Sequence, residues 1–273
     1  MNFINKILII SIASYMLIGP ISMAHAEGNN ILMLFGYRYP PFYSVGKTNN
    51  SGSLHGEFIT FLTEFKKTYP QYNIRYKCIP RGRVKILLSS GRADASALTS
   101  PAFESDKLNK KVIYSSALWE VSDNLVVVKD SKLKFNDISD LKGKSIAVIH
   151  GNGYGPLDKY FENGTIQKVS VYKTKQQLDM LIKGRVDAAI CNYLAFPCHL
   201  KRCSFKEKRF RLIEKPLYTF PLKILAFKKH VQFINDINKF ITSYNFPSVK
   251  DMLAKVVTEK CDQNSTAHSA TNN

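Results

Sequence analysis

Polar and aromatic side chains follow four apolar, strand-like runs of this sequence, and their chemistry suits capture of a small ligand. In open α/β sheets, ligands bind beyond the carboxyl ends of the strands, so these side chains are expected to face one cleft. The set comprises Tyr39 and Phe42 after the run 31–36, Thr99 and Ser100 after 95–98, Asn152, Gly153 and Tyr154 after 145–150, and Asn192 and Tyr193 after 188–191.

Two basic or glycine-rich features could hold an anionic group. The turn 151–155 reads Gly-Asn-Gly-Tyr-Gly, and its backbone N–H groups could cradle an anion, although a plain tight turn is the alternative. Arg83, with Arg81, flanks a predicted helix start and could pair with a carboxylate, or lie on the surface as an ordinary cation. Tyr39 and Phe42 could equally pack under the Pro40-Pro41 turn. Trp119, at the start of the run 119–128, completes the predicted ligand-binding set.

Catalysis receives no support from the sequence. It contains no nucleophile motif, no H-E-x-x-H metal motif and neither common nucleotide-binding loop. We therefore expect no catalytic residue, no metal and no cofactor.

The elements that position the predicted site include an internal repeat. The phrase Gly-Arg-x-Asp-Ala occurs at 91–95 and again at 184–188, each time after an amphipathic segment. A glycine at that place is typical of a helix C-terminus, and an apolar strand follows both copies. Two such helix–turn–strand units, within alternating strands and helices, predict two α/β lobes with parallel sheets and a cleft between them.

The N-terminus has the pattern of a secretory signal peptide. Lys6 precedes an apolar run at 7–21, and Ala24-His25-Ala26 resembles a cleavage site. The run is interrupted and is shorter than the roughly 20 residues that a membrane span needs. Cleavage is expected near Ala26, and the tail 262–273 is expected to be disordered.

Composition limits the partners. The net charge is +18, which favours anionic surfaces or ligands, but the Lys and Arg residues are scattered along the chain. A generally basic surface is therefore expected, and no nucleic-acid partner.

Five cysteines leave the disulfide pairing open: Cys78, Cys191, Cys198, Cys203 and Cys261. Export permits disulfides, but an odd number leaves at least one thiol unpaired in a monomer. Cys198 and Cys203 are close enough to close a local loop, and Cys78 with Cys261 is conceivable.

These motifs together resemble the family 3 bacterial extracellular solute-binding proteins, the periplasmic receptors of polar amino-acid ABC importers. The resemblance implies a type II periplasmic-binding fold, with two lobes joined by crossover strands near 117–125 and 217–225. It also implies a periplasmic, monomeric protein that takes a small polar solute to an ABC permease in the inner membrane. The implied segments are a signal peptide (1–26), lobe 1 (27–119 and 220–261), lobe 2 (120–219) and the tail. The resemblance rests on Tyr39-Pro40-Pro41-Phe42, Gly56-Glu57-Phe58, 87–94, Tyr114-Ser115, 140–148 and 181–187.

Two positions depart from the family pattern. Amino-acid receptors of this family usually clamp the ligand carboxylate with an Arg where this chain has Phe103, and hold the ligand ammonium with an Asp where it has Asn192. A zwitterion would then be enclosed without its usual partners, at a large energetic penalty. A standard α-amino acid is thus a less favoured ligand than the resemblance alone implies.

Two other functions stay open at this point. Dehydratases that resemble these receptors would need a cleft acid that can be protonated, for which Glu57, Glu104 and Glu120 are candidates. A ligand-sensing partner without a role in transport is the second.

Overall fold

The computed structural model describes residues 29–36, 38–45, 54–203 and 205–258. Within them, ten strands form one sheet, and β2 (Ser44–Val45) pairs with β3 (Leu54–His55) in a separate hairpin. The predicted signal peptide, its cleavage site and the predicted disordered tail lie outside the described residues.

The strands and helices alternate as the sequence predicts. The strands of the large sheet are β1 (Asn30–Phe35), β4 (Asn73–Cys78), β5 (Ala95–Thr99), β6 (Val112–Tyr114), β7 (Trp119–Val128), β8 (Ser145–Ile149), β9 (Gln167–Val171), β10 (Ala188–Asn192), β11 (Phe210–Leu212) and β12 (Tyr218–Phe227). The helices are α1 (Glu57–Thr68), α2 (Arg81–Ser89), α3 (Asp106–Asn109), α4 (Asp158–Glu162), α5 (Thr174–Ile182), α6 (Ala195–Arg202), α7 (Val231–Ser243) and α8 (Val249–Thr258).

Two long strands connect the two halves of the sheet. The main path runs β4-β1-β5-β12-β7-β10-β8-β9, so β12 and β7 are its central neighbours. On one side β1 pairs in parallel with β4 and β5, and on the other β8 pairs in parallel with β9 and β10. The two central strands pair antiparallel with one another, from Tyr218 opposite Asp123 to Leu222 opposite Trp119. The predicted two-lobe fold with two crossover strands is confirmed.

The repeated Gly-Arg-x-Asp-Ala phrase has the same structure in both lobes. Gly91 and Gly184 have φ of +70° and +62°, a left-handed conformation that favours glycine at a helix end. The Asp94 carboxylate accepts a hydrogen bond from the Leu32 N–H at 3.0 Å. Asp187 accepts the equivalent bond from the Ser145 N–H at 2.8 Å. Each copy therefore ends a helix and ties the next strand to its parallel neighbour.

Separate apolar cores stabilise the two lobes. The first contains a set of fully buried aromatic side chains from β1, α1 and α7, namely Phe35, Phe58, Phe61, Phe65 and Phe233. The second lies under β7, β8 and β10, with Leu125, Ile146, Val148 and Ile190 among its members. Both bury apolar side chains that alternate along the strands or recur at helical spacing, as the sequence pattern requires.

The cysteines show no local disulfide in the described part of the chain. Cys203 is a free thiol, so the Cys198–Cys203 bond considered from the sequence is not formed. Cys191 is also free and is buried. Cys261, the conceivable partner of Cys78, lies outside the described residues.

Among the described helices, none is long and apolar enough to cross a membrane.

Candidate functional site

The two lobes meet along the predicted cleft, and glycine residues lie at their contact. A Cβ built at Gly151 would lie 3.0 Å from the backbone nitrogen of Gly82, at the start of α2. A Cβ built at Gly153 would lie 3.1 Å from both the Cβ and the carbonyl oxygen of Phe103. A Cβ built at Gly155 would lie 3.2 Å from the Phe103 ring. The turn 151–155 of the second lobe therefore rests directly on the first lobe, and the cleft is closed.

The aromatic turn after β1 contains the half-buried ring of Tyr39 and the buried rings of Phe42 and Tyr43. Tyr39 and Tyr43 exchange two backbone hydrogen bonds, of 2.9 and 3.0 Å, which close the turn around Pro40 and Pro41. Phe42 is fully buried, and its ring lies 5.0 Å from that of Tyr39 and 4.9 Å from that of Trp119. Phe42 and Trp119 thus belong to the first core, and the half-buried Tyr39 packs against it.

The end of β5 carries the next pair of predicted residues. Thr99 and Ser100 are both buried, and the Thr99 hydroxyl donates a hydrogen bond of 2.8 Å to Glu104. Leu98, just before them, has a φ of +28°, which is unusual for a residue with a side chain and marks local strain at this strand end. The structure therefore uses the Thr99 hydroxyl to hold the following turn.

Phe103 occupies the rim between the lobes. Its ring packs against Phe220 at 4.8 Å and Tyr218 at 6.1 Å, both on the crossover strand β12. The position that the resemblance associates with a carboxylate clamp is thus part of an aromatic contact between lobe and hinge.

On the second lobe, Tyr154 serves mainly the lobe itself. Its buried hydroxyl accepts a hydrogen bond of 2.7 Å from the Ile149 N–H, and burial raises its pKa. Asn152 is exposed at the turn, and Tyr193 is 39% exposed after β10. Its backbone N–H donates to the Ser122 carbonyl at 3.0 Å. A place for Asn152 and Tyr193 at the second-lobe edge of the cleft stays a prediction.

Asn192 forms hydrogen bonds with two groups of the crossover strand β7 and with one group of its own turn. Its Nδ2 donates to the Ser122 carbonyl at 3.0 Å and to the Asp123 carboxylate at 3.3 Å. Its Oδ1 accepts a bond from the Leu194 N–H at 3.2 Å, which fixes the turn after β10. The amide therefore positions a neighbouring carboxylate that our sequence reasoning did not identify.

That carboxylate, Asp123, sits in the middle of the crossover strand β7. The Tyr218 hydroxyl donates to it at 3.0 Å from the facing strand β12. Burial raises its pKa to about 6, while the hydrogen bonds from Tyr218 and Asn192 oppose that rise. The sequence did contain a signal, because Ser122-Asp123-Asn124 places three consecutive polar residues directly before the apolar run 125–128 of the same strand.

The electrostatics of the cleft connect Asp123 to both lobes. Burial raises the pKa of Tyr39, and the Asp123 charge raises it further, while the nearby Arg81 opposes the rise. Burial also raises the pKa of Tyr154 and of the Cys191 thiol, and the Asp123 charge raises both further. Asp123 is therefore within electrostatic reach of side chains from each side of the cleft.

The two arginines at the start of α2 differ in placement. Pro80 precedes the helix, and its carbonyl accepts the first helical bonds, so α2 begins at Arg81 and includes Arg83. The Arg81 guanidinium lies beside Gly36, with its Nε 3.4 Å from a Cβ built there. Arg83 is exposed. Its role in ligand binding stays a prediction.

A metal centre has no counterpart among the described residues, where no group of three or more His, Cys, Asp or Glu side chains could hold an ion.

Comparison with solved structures shows the class of fold. ArgBP from T. maritima, as the P235GK mutant, superposes with a TM-score of 0.61 at 18% identity, covering 79% of this chain and 89% of that one. An arginine 3rd transport system periplasmic binding protein from Legionella pneumophila gives 0.60 at 23% identity, covering 78% and 92%. AbpA from Streptococcus pneumoniae, bound to L-arginine, gives 0.60 at 16%, covering 84% and 93%.

These similarities confirm the type II periplasmic-binding fold, with two α/β lobes on two crossover strands. No known family profile matches the sequence, and no curated protein matches it.

Proposed function

We propose that this protein is a periplasmic solute receptor without catalytic activity. It encloses a small polar, amino-acid-like solute between its lobes and presents it, as a monomer, to an ABC permease of the inner membrane. The proposal is supported above all by the closed contact of the glycine turn 151–155 with Gly82 and Phe103, across a cleft that contains the half-buried carboxylate of Asp123.

Closure and opening follow from the topology. The lobes, proposed at 27–119 with 220–261 and at 120–219, are connected by the paired strands β7 and β12. A rotation about these two strands separates the glycine turn from Phe103 and admits a solute, and the reverse motion encloses it. The predicted residues Tyr39, Thr99, Ser100, Asn152 and Tyr193 are proposed to form the walls.

Ligand screening tests this proposal directly. We expect at least one polar solute to raise the melting temperature of the purified protein, and small-angle X-ray scattering to show a more compact particle with it. The structural neighbours include arginine-bound proteins, so arginine and its analogues enter the screen first. A properly folded sample that no solute stabilises would contradict the proposal.

One observation favours an enzyme as the second candidate. A dehydratase on this scaffold requires a cleft acid that holds a proton near neutral pH, and Asp123, with its pKa raised to about 6, meets that requirement. Turnover of prephenate or arogenate by the wild-type protein, lost in Asp123→Asn, is the expected result for this candidate. Absence of turnover in the folded protein eliminates it.

A further inference from the structure

Among the described residues, the Asp123 carboxylate has hydrogen-bond donors but no basic partner. Its two side-chain donors are the neutral groups of Tyr218 and Asn192. In the described part of the chain, no Lys, Arg or His forms an ion pair with it, although other aspartates do, such as Asp94 with Lys229 and Asp179 with Lys175. In a chain of net charge +18, this lack of a cation at a mostly buried carboxylate requires an explanation.

A buried carboxylate without a counter-ion has two outcomes. It takes up a proton, or an outside cation compensates its charge. Asp123 shows the first outcome in part, because burial raises its pKa to about 6 and so favours the protonated form. A bound cation would reverse this effect by favouring the ionised form.

The surroundings of Asp123 suit an organic cation. Tyr39 from the first lobe, Tyr154 from the second and Tyr218 from the hinge all interact with the Asp123 charge. Tyrosine rings attract ammonium and guanidinium groups through their faces. Arg81 lies beside Gly36 and Tyr43 and is not among the groups that shift the pKa of Asp123. Arg81 therefore leaves the carboxylate without an ion pair.

We propose that Asp123 is the anchor for a cationic nitrogen of the solute, an ammonium, amidinium or guanidinium, which the closed cleft places between hinge and lobes. This inference rests on the proposed receptor function and names its solute class. It also explains why Asn192 is an amide, because Asn192 donates to the same carboxylate and holds it in place.

A five-carbon series of matched solutes tests the solute class by isothermal titration calorimetry at pH 7.5. Cadaverine, 5-aminopentanol and 5-aminopentanoate carry a cationic nitrogen, whereas 1,5-pentanediol and glutarate do not. Arginine, agmatine and lysine extend the cationic set. We expect binding to be confined to solutes with a cationic nitrogen.

The outcomes separate the two proposals. If only neutral or anionic solutes bind, the cation anchor is wrong and the receptor function stands. If no solute of the series or of the wider library binds to the folded protein, the receptor function fails, and the anchor with it.

Two variants test the residue. Asp123→Asn is expected to weaken binding of the best cationic solute at least tenfold, while Asp130→Asn, an exposed aspartate just after β7, leaves it unchanged. Equal effects of both variants, or no effect of the first, would overturn the assignment. Circular dichroism and thermal melting establish that each variant is folded.

A pH series gives a second measurement on the unaltered protein. Burial raises the pKa values of four groups near Asp123, so they stay neutral from pH 5 to 7: Tyr39, Tyr154, Tyr218 and Cys191. The basic group on this side of the cleft is the Arg81 guanidinium, which acts on Tyr39. Agmatine keeps its charge over this range. We expect its dissociation constant to rise about tenfold from pH 7 to pH 5 as Asp123 takes up a proton, and a constant affinity would overturn the anchor.

Discussion

Replacing Asp123 by Asn should stabilise the ligand-free protein at pH 8, although it removes a proposed ligand anchor. The wild-type carboxylate is ionised at that pH and lies in a site that disfavours its charge. Asparagine has nearly the same shape and carries no charge. The variant therefore avoids the desolvation cost and retains a side-chain oxygen that accepts the Tyr218 hydrogen bond.

The size of the effect follows from the pKa. The pKa of Asp123 rises from an ordinary value of 3.8 to about 6 in the folded protein. The folded state therefore holds this proton more tightly than the unfolded state does, and the free energy of unfolding falls as pH rises from about 4 to about 6. The difference corresponds to about 3 kcal/mol once the group is fully ionised. An amide loses part of one hydrogen bond, worth about 1 kcal/mol, so the expected gain of Asp123→Asn at pH 8 is about 2 kcal/mol.

Urea unfolding at several pH values measures this gain. The stability difference between Asp123→Asn and wild type should be smallest at pH 4, grow through pH 6 and stay constant up to pH 8. Asp130→Asn, at an exposed position, should show no such growth. A difference that does not depend on pH, or a variant less stable than wild type at pH 8, would refute the reasoning that the site disfavours charge.

Two further variants probe closure and the first core. Gly153→Ala should reduce solute affinity about tenfold or more in calorimetry, because its Cβ would lie 3.1 Å from Phe103 in the closed state. Gly82→Ala, whose Cβ meets nothing within 4 Å, is the matched control, and equal losses would contradict a role in closure. Tyr72→Phe should lower the free energy of unfolding by about 2 kcal/mol, since the Tyr72 hydroxyl donates to the buried Asp236 at 2.8 Å. Urea unfolding measures this loss, and an unchanged midpoint would show that the bond adds no stability.

The sequence predicts the fold well because the fold depends on patterns that repeat. Apolar runs of strand length, helical spacing in α1 and the glycine of each Gly-Arg-x-Asp-Ala phrase all specify local structure directly. The crossovers, predicted near 117–125 and 217–225, are observed as β7 and β12 within a few residues. The closed contact of Gly153 with Phe103 could not be predicted from local patterns, because 50 residues separate the two in the chain.

The site was harder to predict because its central group is not at a strand end. The rule that ligands lie beyond the carboxyl ends of strands selects Asn192, which bonds to Asp123, but it passes over a residue in the middle of a crossover strand. Asp123 is brought there by pairing with Tyr218, which lies 95 residues further along the chain. Phe42 and Trp119, selected by the same reasoning, pack together in the first core.

If Asp123 anchors the solute, the hinge takes part in recognition as well as in motion. A residue on one lobe contacts the solute in the open state only if that lobe binds it first, whereas a residue on the paired strands β7 and β12 is present in both states. The Asp123–Tyr218 hydrogen bond joins these two strands directly, at the register where they pair. A cation at Asp123 would therefore bind to the element about which the lobes rotate, and the charge that favours its binding would be available before the cleft closes. On this proposal, closure would add Tyr39 and the glycine turn around a solute already bound at the hinge. Attraction of the charge would then precede selection by shape.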